Sequence, residues 1–197
     1  MREWLVALLT AGSFLTANTL SAYSSLRRVY KYEEPTRPPR TVSIVAPGWH
    51  EPSVLLDISL SSLKQQSVVQ RYPELFEFIF VGCEGVDLDI PAKYGYRILC
   101  APRGKLYARH TGIMNAQGEI IVAVDCDSFY PPNWLNLMLK PFHDPNVVGV
   151  TSTTWQGGLE PLIALPKLVE YSDRMSGRGS AFLKDAYIKT DVFKLNI

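Results

Sequence analysis

From Thr41 onward, short apolar runs of strand length alternate with segments whose apolar residues recur at helical spacing, and this alternation restricts the chain more than any other feature. It predicts an α/β domain on a largely parallel sheet. "TVSIVA" is a first strand, bounded by Pro47 and Gly48. Ser53 caps a helix in which Leu56, Leu60 and Leu63 share one face, ending near Gln66. "FEFIFVG" and "YRILC" are the second and third strands. Lys105 to Gln117 reads as a helix closed by Gly118, and Glu119 to Val124 as the central strand. Beyond it come a helix start at "PPNW", a strand at "VVGVTST" and a last apolar segment, "GSAFL".

At 197 residues and 47% hydrophobic content, the chain suffices for one compact domain with a real core. A net charge of +1, with no dense basic stripe, argues against a nucleic-acid partner. Cys83, Cys100 and Cys126 are odd in number and lack metal-ligand spacing, which favours a reducing compartment and buried thiols over a disulfide framework. Between Trp4 and Tyr23 no charge occurs, so residues 1–26 read as an N-terminal membrane helix, with a signal sequence as the alternative. Arg27, Arg28, Lys31, Arg37 and Arg40 follow, and by the positive-inside rule they keep the far side in the cytosol. Residues 27–40, basic and proline-rich, form an extended linker to a domain over residues 41–197.

The stretch "IIVAVDCDSFYPPNW" sets Asp125 and Asp127 at the end of the central strand. Side chains two apart on a strand share a face, so both carboxylates reach one point if the extended backbone persists through Cys126. Two such charges repel unless a cation sits between them, and oxygen ligands suit Mg²⁺ or Mn²⁺. The same letters also suit a solvated turn before Pro-Pro. Upstream, Arg103, Lys105 and Arg109 surround Gly104 at a helix start, where basic groups and free amides suit a diphosphate.

In order and register these blocks resemble family 2 glycosyltransferases, which carry the GT-A fold. "SIVAPGWHEP" is similar to the family's Pro-x-x-Asn-Glu turn, with Pro47, His50 in place of Asn, and Glu51. "SSLKQQ" matches its Ser-Leu-x-x-Gln helix, and Glu84 in "VGCEGVD" stands where the family's base-contacting acid falls. "GKLYARH" resembles Gly-x-x-x-Ala-Arg-Asn, with Arg109 on the motif arginine and His110 replacing Asn. "NAQGEIIVAVDCDSFYPPNWL" follows the family's Ala-x-Gly-Glu strand and Asp-x-Asp. The later "DPNVVGVTSTTWQGG" and "GRGSAFLKDAYIKTDVF" look like the membrane-bound, ceramide glucosyltransferase-like branch, although a strand holding Ser180 and Phe182 reads equally as core.

The resemblance implies a GT-A type Rossmann-like sandwich and an inverting, metal-dependent transfer from a UDP- or GDP-sugar, UDP preferred, to a lipid, glycan or protein acceptor. Donor-site candidates are Pro47, His50, Glu51, Glu84, Arg103, Gly104, Lys105, Arg109 and Asp125, with Asp125 and Asp127 on Mn²⁺ or Mg²⁺. The family's catalytic-base motif lies beyond the turn that "TDVFKLN" resembles, so the domain reads as truncated before it; Asp173, Asp185 and Asp191 are substitutes without motif support. The alternatives are a degenerate domain that binds nucleotide or sugar without turnover and a sugar nucleotidyltransferase, whose Gly-rich, Lys-containing loop "APGWHEP" lacks.

Overall fold

The computed structural model describes residues 33–83, 85–152 and 179–190. The expected membrane helix over residues 1–26 lies outside them, and among the described residues no helix is long and apolar enough to cross a membrane. Residues 33–40 run along the domain, where Thr36 N–H donates to Asn136 Oδ1 at 2.9 Å and the Tyr72 hydroxyl to the Pro35 carbonyl at 3.5 Å.

Among the described residues six strands form one sheet in the order β3-β2-β1-β4-β6-β5. They are β1 (Val42–Pro47), β2 (Phe76–Val81), β3 (Arg97–Leu99), β4 (Ile120–Ala123), β5 (Gly149–Thr151) and β6 (Ser180–Leu183). The first four pair in parallel, and β6 runs antiparallel to both β4 and β5, so the sheet is mixed and mostly parallel, as the alternation predicts. Every residue of β1 and β4 is buried, the usual condition of strands covered on both faces and the reason they read as unbroken apolar runs.

The helices are α1 (Ser53–Lys64), α2 (Ser67–Arg71), α3 (Asp89–Lys93), α4 (Lys105–Asn115), α5 (Trp134–Leu139) and α6 (Lys184–Thr190). On one face of the sheet, Ile44 and Ala46 of β1 pack with Leu56, Leu60 and Leu63 of α1. On the other, Val45, Ile79 and Ile121 pack with Ile113 of α4. Gly112 lets α4 lie close to β1: a Cβ there would come within 2.4 Å of Val45 Cγ1.

Several expectations need correction. Ser53 is the first helical residue rather than a cap; its hydroxyl donates to Asp87 Oδ2 at 3.0 Å, and Pro52 holds the cap position. Gly118 does not close α4, because the chain is already extended at Ala116, and the last carbonyls are met by the Lys184 ammonium, 2.6 Å from Ala116 O. Gly118 instead lies against β1, with its N–H donating to Ser43 Oγ at 2.8 Å. Cys83 and Cys100 form a disulfide, against the reading of buried thiols. The parallel pairing of β2 with β3 brings the loops after them side by side, with 5.0 Å between the two Cα atoms. Cys126 alone stays free among the described cysteines, and it is buried.

Candidate active site

After β1 the chain steps to β2 on one side and later to β4 on the other, so the loops beyond the carboxyl ends of β1 and β4 diverge. Open α/β sheets bind ligands at such a crevice. Here it holds a cavity of about 380 Å³, walled by the loops after β1, β2, β3 and β4. Gly48 and Gly82 line it and lie against the buried Phe80 ring, where a Cβ on either would come within 2.2 or 2.7 Å of that ring.

Asp125 and Asp127 both line the cavity, but not through strand alternation. The strand stops at Ala123 and the chain turns at Cys126 and Asp127. Asp125 is thereby buried at 6% exposure, while Asp127 projects outward with a bond from Ser128 Oγ at 3.3 Å. Two cations from α4 converge on Asp125: Arg109 reaches its Oδ1 at 2.6 Å and Lys105 at 2.8 Å. The Arg109 side chain is 14% exposed and that of Lys105 55%; Lys105 lines the cavity and Arg109 does not. Burial pushes the Cys126 thiol well up, and the nearby carboxylates of Glu51, Asp125 and Asp127 add to the effect.

The remaining candidates divide. Pro47, Glu51, Arg103 and Gly104 line the cavity. Glu51 accepts the Trp49 N–H at 2.6 Å, shaping the turn after β1. Gly104, at φ 132°, opens α4, a conformation in which a side chain would be strained. His50 is not in the lining: it is exposed and meets the Trp49 ring edge-on at 4.8 Å. Glu84, Asp173 and Asp191 lie outside the described residues. Asp185 is exposed at the far end of the sheet, because antiparallel β6 carries it past Ile120, away from the Asp125 end of β4. It is thus no candidate base. His110 faces α6, 3.0 Å from the Tyr187 hydroxyl.

Sequence reasoning passed over Trp49, which lines the cavity with the Arg103 guanidinium 5.0 Å from its ring centroid. An aromatic between a strand's end and Glu51 was the available signal. Among the described residues no three His, Cys, Asp or Glu side chains gather as a metal cluster. Asp127 nonetheless fits a hard cation, since its carboxylate is exposed to the cavity and, among the described residues, has no ion-pair partner, unlike that of Asp125.

The sequence model described as Glycosyl transferase family 2 matches residues 89–183. No curated protein matches the chain. A mannosyltransferase from Pyrobaculum calidifontis, solved in complex with GDP-Man and Mn²⁺, shares the fold with TM-score 0.63 and 18% identity, over 93% of this chain and 57% of that one. Glucosyl-3-phosphoglycerate synthase from Mycobacterium tuberculosis, in complex with uridine-diphosphate, gives TM-score 0.54 and 21% identity, over 75% and 58%. Mannosyl-3-phosphoglycerate synthase from Rubrobacter xylanophilus gives 0.56 and 16%, over 79% and 62%. The chain thus spans somewhat over half the length of these structures. The fold is GT-A-like.

Proposed function

We propose that this chain is a metal-dependent, inverting family 2 glycosyltransferase that takes a sugar from a UDP- or GDP-sugar and passes it to a lipid, glycan or protein hydroxyl. The observation that carries the reading is the pairing of Asp125 with Lys105 and Arg109 beside the exposed carboxylate of Asp127, all at the carboxyl end of β4. Asp127 would hold the cation, Mn²⁺ or Mg²⁺, with diphosphate oxygens and water as its other ligands. A bound divalent ion supplies charge compensation to the departing diphosphate.

The protein's own residues do the rest. Asp125 pairs with Arg109 behind the lining and with Lys105, which lines the cavity, so positive charge stands ready where the leaving group becomes anionic. Arg103 adds a third cation, held over Trp49. The neighbours' complexes with GDP-Man and uridine-diphosphate support a nucleoside diphosphate as the ligand.

Calorimetric titration of UDP and of GDP, with and without Mn²⁺, tests the reading on wild type and Asp127→Ala. The expected result is metal-dependent binding that the variant loses by at least about tenfold. Equal binding by both proteins, or none by either, would overturn it. The departures at His50 and His110 favour a second reading, nucleotide binding without turnover. Donor hydrolysis separates the two, because a binder leaves the sugar nucleotide intact under every acceptor tried.

The membrane anchor over residues 1–26 and a lipid acceptor belong to the same proposal, supported by the uncharged run from Trp4 to Tyr23. Arg27, Arg28 and Lys31 favour a cytosol-facing domain, whereas disulfides such as Cys83–Cys100 persist chiefly in oxidising compartments. Thiol labelling of the protein in sealed membranes, before and after reduction, decides the side.

A further inference from the structure

Between Asp125 and Tyr130 the chain makes a loop with Asp127 inside it, and that loop is closed by a side chain rather than by a ladder. The Tyr130 hydroxyl accepts the Asp125 N–H at 2.9 Å and donates to the Asp125 carbonyl at 3.0 Å, satisfying both backbone groups of one residue. Ser59 of α1 gives the same carbonyl a second donor at 3.1 Å.

Tyr130 is itself fixed from α1. Its N–H donates to Ser62 Oγ at 3.1 Å. Gln66, fully buried, donates through Nε2 to the carbonyls of Tyr130 and Pro131, each at 2.9 Å, and accepts the Leu135 N–H at 2.8 Å.

We propose that Tyr130 is a positioning residue whose hydroxyl, by closing the Asp125–Tyr130 loop, sets where the Asp127 carboxylate stands for its cation. The inference rests on the proposed role of Asp127, and its physical ground is that groups behind a metal ligand decide how much of the ligand's affinity is realised. The ring of Tyr130 packs on Trp134 with centroids 4.6 Å apart, so Tyr130→Phe keeps the packing and removes only the closure.

The test follows nucleotide binding while Mn²⁺ is titrated, using UDP or GDP as wild type prefers, in the full chain. Tyr130→Phe is expected to raise the half-saturating Mn²⁺ about tenfold, with metal-free nucleotide binding unchanged. Amide exchange across residues 124–131 is expected to quicken while β1 and α4 keep wild-type protection. An unchanged Mn²⁺ requirement overturns the proposal. So does a parallel loss of metal-free binding, the mark of a merely structural role. If Tyr130→Phe does not fold, Ser59→Ala takes its place, with a shift of about threefold expected and none overturning the idea. If wild type itself shows no metal-dependent binding, the donor-site reading fails; exchange across 124–131 then still supports the closure if it quickens in Tyr130→Phe and overturns it if it does not.

Discussion

A single carboxylate, Asp125, organises the candidate site, and its partners show what a sequence can and cannot reveal. Lys105 and Arg109 were legible: basic residues one turn apart at a helix start, upstream of an acidic pair, form a pattern that spacing alone exposes. The clamp by Ser59, Gln66 and Tyr130 was not, because Ser59 and Gln66 act across more than 60 residues and only docking of α1 and the turn after it on the loop gives them a purpose. The shared face of Asp125 and Asp127 was misread, since the strand ended two residues short of Asp125. Arg109→Met would leave a carboxylate whose side chain is 8% exposed with the more exposed Lys105 as its remaining cation. Breaking such a pair is expected to cost about 2 kcal/mol, below the full value for a buried pair because Lys105 persists. Urea denaturation of wild type and variant measures it, and nucleotide affinity is expected to fall in the same variant.

At the scale of elements, what the sequence exposed depended on length and cover. β1, β2 and β4 announce themselves as apolar runs because both faces of the sheet are packed. The five-residue helices α2 and α3 are too short to show a helical period and went unforeseen. The disulfide was hidden by an odd cysteine count and by a pairing that exists only once β3 lies beside β2. It joins two of the four loops that wall the cavity. Replacing Cys83 and Cys100 by Ser is expected to cost about 3 kcal/mol, the usual value for a closed loop of this size, and to weaken nucleotide binding. Chemical denaturation and calorimetry of the double variant check both. Gly112→Ala presses on Val45 and is expected to lose about 1–3 kcal/mol by separating α4 from β1, read as a lower thermal midpoint.

Across the whole molecule, the buried ionisable groups set an alkaline limit. Burial raises the Cys126 thiol well above its ordinary 9.0 and the Tyr96 hydroxyl well above 10.0, and Tyr130 moves the same way. Below about pH 9 both folded and unfolded chains keep these protons; above it the unfolded chain releases them first, so stability falls as pH rises. The half-buried Lys64, lowered by desolvation, opposes this with a smaller gain as pH rises. The urea midpoint is therefore expected to drop between about pH 9 and about 10.5, and Cys126→Ala to move the onset upward by about one unit. Sheet order has a different consequence, for a chain emerging from the ribosome. β5 leaves first, yet its neighbour in the sheet, among the described residues, is β6, about thirty residues later. At about 5–20 residues per second that is a wait of some seconds. During it β4 and β5 each present an edge that, among the described residues, only β6 covers, so the nascent chain is most open to misassociation just before Ser180 appears.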